Sequence, residues 1–170
     1  MTKLIFALLF SALLHAQATM HYYTAGNAFP VAKTYTCTAN GTNWVCTGQA
    51  NQAQAAATSQ TLTLFTLPAN GYVLAPPRIK TLVACTGTTT LLLTGVGLTG
   101  SSTYFAAGLT YDLKAAVANT NILNPALSVL GSNTAAATDV TVNLTSTVQN
   151  ISSVASGCSF SVSFLWLVIS

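Results

Sequence analysis

The stretch GCSFSVSFLWLVIS, Gly157 to Ser170, decides the fold. Phe160, Val162, Phe164, Trp166 and Val168 occupy alternate positions, and Ser159, Ser161 and Ser163 fill the gaps. A two-residue period sorts side chains onto the two faces of a strand. A lipid-facing helix has no reason to keep that period, and a spanning helix needs about 20 residues. A lipid-anchor signal needs a polar spacer and a hydrophobic tail of about 10 to 20 residues. Here three serines interrupt the tail, and cleavage near Ser156 would discard Cys158. After Leu165 both faces turn apolar, as in a strand covered on each side. The segment reads as a core strand.

The same alternation recurs upstream. In SQTLTLFTL, Leu62 and Leu64 share one face while Thr61 and Thr63 take the other. In TDVTVNLTSTV, Val140, Val142 and Leu144 oppose Thr141, Asn143 and Thr145. Between them, residues 68–97 carry two or three more strands, the first broken at Pro76-Pro77 because proline cannot donate to a ladder. Asn40-Gly41, within CTANGTNWVC, supplies the positive φ angles of a tight hairpin. Only YDLKAAVANTN reads as helical, with Asp112 as its N-cap and two turns at most. The following stretch, to about Thr138, is a long connection of the Greek-key kind. The expected fold is all-β: a single β-sandwich, jelly-roll or Greek-key like, of about eight strands, with an N-terminal arm and hairpin.

The other end reads MTKLIFALLFSALLHAQATM. Lys3, an apolar run from Leu4 to Leu14 and the small-x-small site Ala16-Gln17-Ala18 form the three-part layout of a secretory signal. The expected organisation is a signal peptide over 1–18, an arm and disulfide hairpin over 19–47, a linker or loose helical turn over 48–60, and the β-sandwich over 61–170. Removing 18 residues from 170 leaves 152, enough for one domain with a sizeable core.

Charge is nearly absent from that mature segment. Lys33, Arg78, Lys80 and Lys114 stand against Asp112 and Asp139, four minus two, for a net +2. Nucleic-acid binding needs clustered cations and is not expected. With 51% hydrophobic residues the chain is not of the disordered class. No second apolar run is long enough to span a bilayer, so no transmembrane segment is expected in the mature chain. Such a neutral Thr-, Ala-, Ser- and Asn-rich surface favours association between copies. The expected location is secreted or extracellular, with the periplasm or a cell surface as variants.

Four cysteines in a secreted chain allow three pairings. Cys37 and Cys46 flank the hairpin and can bridge its base, which leaves Cys85 with Cys158. Cys158 shares parity with the core residues Phe160 and Val162, and Cys85 with Val83 and Ile79. No Cys-x-x-Cys pair exists, and His21 is the one histidine beyond the signal, so neither a metal site nor a cofactor is expected. The general bases on offer are His21, Asp112 and Asp139. Asp112 reads as a cap and Asp139 as a turn residue, so no catalytic residues and no enzyme activity are expected.

Three sequons, Asn40-Gly-Thr, Asn143-Leu-Thr and Asn150-Ile-Ser, are candidate N-glycosylation sites. Tyr22, Tyr23, Tyr35 and Trp44 form a candidate aromatic surface for sugars, or else pack the N-terminal segment onto the sheets.

From about residue 58 to 170 the order of motifs resembles small β-rich virion structural, decoration-type, proteins of tailed bacteriophages. The matching stretches are RIKT at Arg78 to Thr81, YDLKAAV at Tyr111 to Val117, NTAAATDV at Asn133 to Val140 and LTSTVQNISSVASG at Leu144 to Gly157. The resemblance implies a compact β-domain serving a particle surface or an assembly, without catalysis. A signal segment and four cysteines suit export rather than the reducing cytoplasm in which such virions assemble. The expectation is therefore a secreted, non-catalytic structural or assembly protein of a fibre, coat or cell-surface layer. A secreted module binding glycans or a cell or particle surface is the alternative. Self-association is expected to run through the arm, Thr19 to Lys33, adding as a strand to a neighbouring copy.

Overall fold

A computed structural model describes residues 30–106, 109–115, 121–122 and 136–168. Residues 1–29, with the expected signal segment, most of the expected arm, Tyr22 and Tyr23, lie outside the described residues. The described chain is all-β. Its strands are β1 (Val31–Ala39), β2 (Asn43–Cys46), β3 (Gln52–Ala53), β4 (Ser59–Leu67), β5 (Gly71–Val73) and β6 (Arg78–Val83). There follow β7 (Leu92–Leu98), β8 (Ser101–Ala106), β9 (Tyr111–Asp112), β10 (Asn121–Ile122), β11 (Thr138–Thr145) and β12 (Ser159–Val168).

These strands form two sheets. Sheet A has the order β10-β6-β12-β1-β2-β3, with β5 also on β12; sheet B has the order β4-β11-β7-β8, with β9 also on β7. Every pairing is antiparallel. The segment that decides the fold, β12, is the centre of sheet A. Its first half pairs with β6 and its last three residues with β5. Pro76-Pro77 falls between β5 and β6, so the two together serve one side of β12 as a single strand broken where no N–H is available.

The two sheets share one hydrophobic core. Phe160 and Val162 of β12 are fully buried, as are Leu62 and Leu64 of β4 and Val140, Val142 and Leu144 of β11. Tyr35 of sheet A stacks on Phe65 of sheet B with centroids 4.3 Å apart and planes 5° from parallel. Phe164 meets Phe65 edge-on at 5.1 Å. Such pairs add about 0.5–1.5 kcal/mol each beyond burial. A polar bridge crosses the core: the Tyr111 hydroxyl accepts from the Thr81 N–H at 3.1 Å and from the Thr81 hydroxyl at 3.2 Å.

Several expectations need correction. Twelve strands are present among the described residues rather than about eight, because several short pieces pair on flanks of longer strands. The expected helix from Tyr111 begins instead as β9, paired with β7, and turns at residues 113–115. Asp112 Oδ1 accepts the Lys114 N–H at 2.8 Å. The carboxylate thus organises an Asx-type turn, while Tyr111 is drawn inward to Thr81. Residues 116–120 lie outside the described residues.

Residues 48–60, read as a linker, contain β3 and the start of β4. Gln52 Nε2 donates to Thr63 O at 2.9 Å and Gln52 Oε1 accepts from Thr63 N at 2.8 Å. Gln60 reciprocates, donating to Ala53 O and accepting from Ala55 N. The carboxamides act as extra backbone units that tie the edge of sheet A to the edge of sheet B. Residues 31–33, assigned to a free arm, pair with Trp166, Leu165 and Phe164 of β12 within the same chain.

Candidate interaction surfaces

Along β1, Tyr35, Cys37 and Ala39 point into the core, so Thr34, Thr36 and Thr38 point out. The ladder places Thr38 opposite Ser159, Thr36 opposite Ser161 and Thr34 opposite Ser163. Two columns of hydroxyls therefore lie side by side at the centre of the outer face of sheet A. Within a column, neighbours are about 7 Å apart, and the columns are separated by about 5 Å. Thr34 Oγ1 and Ser163 Oγ share a hydrogen bond of 2.8 Å.

The flanking strands carry larger groups. Val45 lies opposite Thr38, and Val83, Lys80 and Arg78 lie opposite Ser159, Ser161 and Ser163. Ser159 and Ser161 are 7% and 6% exposed although they face outward, because these neighbours stand above them. The result is a shallow trough with a hydroxyl floor. Val45 stands on one side; Arg78, Lys80 and Val83 stand on the other. A β-bulge between Ser159 and Phe160 leaves both Leu82 and Val83 exposed. That irregularity also overturns the parity argument for Cys85, since Val83 does not share the buried side of Ile79.

Exposed apolar side chains concentrate on sheet A. Of the six large ones among the described residues, Val31, Val45, Leu82, Val83 and Leu165 belong to its strands, and only Val148 lies elsewhere. Arg78 and Lys80 are exposed and form no ion pair among the described residues. Lys33, at the rim, places its ammonium 5.7 Å from the Trp166 ring centroid.

The outer face of sheet B is polar and carries the carboxylates. Asp139 of β11 accepts from Thr66 Oγ1 of β4 at 2.6 Å. Thr61 Oγ1 donates to Asn143 Oδ1 at 2.9 Å. Ser59, Gln60, Thr61, Thr94, Asn143 and Thr145 line a shallow depression of about 320 Å³. Asp112, paired through Leu92 with Thr145, lies at the far end of the sheet from Asp139. Six residues of strand separate the two ends, about 20 Å. Paired carboxylates for glycoside hydrolysis stand about 5–9.5 Å apart, so these two cannot act as a couple. No group of three or more His, Cys, Asp or Glu converges among the described residues, and no helix among them is long and apolar enough to cross a membrane.

Tyr35 and Trp44 do not belong to an exposed aromatic surface, and Tyr22 and Tyr23 lie outside the described residues. Trp44 is fully buried and Tyr35 is 8% exposed; Trp44 packs edge-on against Phe160 at 5.7 Å. Their parity on β1 and β2 with Cys37 and Cys46 puts both rings inside. Burial raises the Tyr35 hydroxyl above its ordinary pKa.

Both disulfides are present, Cys37–Cys46 directly across the β1–β2 ladder and Cys85–Cys158 joining the segments beside the β6–β12 end. Lys114 donates its ammonium to the carbonyls of Cys85 and Thr88, bracing the loop behind the second bridge. The sequons differ in setting. Asn40 holds its turn by accepting from Thr42 N, Thr42 Oγ1 and Asn43 N, with Gly41 at φ 93°. Asn143 is half-buried in the sheet B depression, and Asn150 is exposed ahead of a 3₁₀ turn, Ile151–Ser153.

The hydroxyl columns were not singled out from the sequence. Their signal is present, as TYTCT at Thr34 to Thr38 and SFSVS at Ser159 to Ser163, but it becomes a surface only when the register brings the two together. Compared with known protein families, curated proteins and solved structures, the chain matches none.

Proposed function

We propose that the chain is a secreted, non-catalytic structural protein, a jelly-roll β-sandwich that assembles through its faces into a fibre, coat or surface layer. The strand order supports the jelly-roll reading. Taking β5 and β6 as one broken strand, β1-β12-β6-β10 lies over β4-β11-β7-β8, the interleaving of two Greek keys found in coat and lectin domains. Fold alone does not carry function. The observation that does is the gathering of exposed apolar and cationic side chains on sheet A, beside a hydroxyl floor, in a protein with few charges to keep copies apart. Two disulfides suit an oxidising compartment, in keeping with the N-terminal secretory layout.

Sedimentation velocity and electron microscopy of disulfide-bonded protein from a secreting host test this. A regular particle, fibre or concentration-dependent oligomer is expected; a monomer at every concentration would overturn it. The polar depression of sheet B favours glycan binding as a second reading. It lacks an aromatic stacking platform among its lining residues, which ranks it lower. A glycan-array signal lost in Asn143→Ala would move it ahead.

A further inference from the structure

The two outer faces differ in charge as well as in apolarity. Arg78 and Lys80 stand on the outer face of sheet A, with no carboxylate on any of its described strands. Both aspartates of the chain, Asp112 and Asp139, belong to strands of sheet B and point to its outer side. In a protein with so few charges, this separation gives the molecule a cationic face and an anionic face.

We infer that copies associate head-to-tail, the outer face of sheet A of one copy docking on the outer face of sheet B of the next, with Arg78 and Lys80 meeting Asp139. The inference rests on the assembly reading above and adds its polarity. Sheet A against sheet A would bring Arg78 and Lys80 of both copies together, and like charges oppose such pairing. Sheet B against sheet B would juxtapose the carboxylates. Only the mixed arrangement satisfies both. It also buries Val45, Val83 and Leu165 without asking the like-charged faces to meet. The β3 and β4 edges are poor competitors, since Gln52 and Gln60 already occupy backbone groups there. A contact between unlike faces closes into a ring or continues as a filament.

Cross-complementation of face variants tests it. Arg78→Glu/Lys80→Glu spoils the sheet A face, and Asp139→Lys spoils the sheet B face. Each variant alone is expected to sediment as a monomer where the wild type forms larger species. An equimolar mixture is expected to recover larger species of alternating composition, because the native faces of the two variants complement each other and their charge-reversed faces do as well. Raising salt from 20 to about 500 mM should shift wild type toward monomer, as exposed pairs are screened over about 10 Å at 0.1 M. Thr66→Lys, an exposed neighbour of Asp139, repeats the sheet B arm if Asp139→Lys does not fold by circular dichroism. If the variants assemble like wild type, or the mixture stays monomeric while wild type assembles, the head-to-tail polarity is wrong and assembly stands. If wild type is monomeric throughout, the assembly reading falls, and the polarity with it.

Discussion

The side chain of Gln52 bonds both backbone groups of Thr63, with 2.8 and 2.9 Å contacts that copy one step of a β-ladder. Edge strands present unpaired N–H and C=O groups and invite pairing with other chains. Here a carboxamide fills that role from the opposite sheet, and Gln60 does the same in return for Ala53 and Ala55. Gln52→Leu keeps the bulk and deletes both bonds. It should destabilise the fold by about 1–3 kcal/mol, the cost of leaving partly buried polar groups unpaired. Urea midpoints measure the loss. Light scattering should show irregular aggregation through the opened β4 edge, distinct from any ordered assembly.

How much of this was readable in advance follows from what carries each element. β12, β4 and β11 are long and keep a two-residue period over most of their length, as far as Phe164 in β12 and Leu64 in β4, so that period identifies them. Cys37–Cys46 follows from a hairpin marked by Asn40-Gly41. β3 is two residues long and has no period to read; its place is set by glutamine side chains acting as backbone, which no hydropathy pattern records. β9 was masked by the alanines after it, and what makes it a strand is a tyrosine reaching a threonine 30 positions away. The hydroxyl columns of the outer face are legible as two motifs, yet Thr34 and Ser163 are 129 residues apart. Only the register joins them.

Tyr111→Phe isolates that cross-core contact. The ring stays, and the acceptor for the Thr81 N–H goes, at a position where Thr81 is 1% exposed. A loss of about 1–3 kcal/mol is expected, read as a lower urea midpoint with unchanged slope. The double variant Tyr111→Phe/Thr81→Val should still be less stable than wild type but lose less than the sum of its single changes, since the Thr81 hydroxyl is removed together with its partner. An additive result would show that the two residues are not coupled.

The two disulfides should contribute unequally. Cys85–Cys158 spans 73 residues and Cys37–Cys46 spans 9. In the chain-entropy account the longer closure stabilises by about 4.5 kcal/mol and the shorter by about 2.5–3 kcal/mol. Replacing Cys85 and Cys158 by Ala should therefore lower the melting temperature more than replacing Cys37 and Cys46. Both replaced pairs leave small residues at buried positions, so the cavity cost is similar. The reverse order would place the larger stabilisation in native-state packing around Trp44 instead of in the denatured chain.

Tyr35 ties the core to alkaline pH. Its ring lies flat on Phe65 with the side chain 8% exposed, and burial disfavours the phenolate, raising its pKa in the folded protein. An unfolded chain loses the same proton at about pH 10. The unfolded state therefore binds fewer protons once pH passes that value, and the folded state is penalised. The contribution is complete below about pH 10 and is lost progressively as pH rises through the higher folded value. Tyr35→Phe keeps the stacked ring and has no proton to lose. Its urea midpoint should track wild type at pH 7 within a small offset, then fall less steeply between about pH 10 and 12. Parallel slopes across that window would show that the Tyr35 hydroxyl reaches water in the folded state, and that the packing of β1 against β4 is looser than its 4.3 Å ring stack implies.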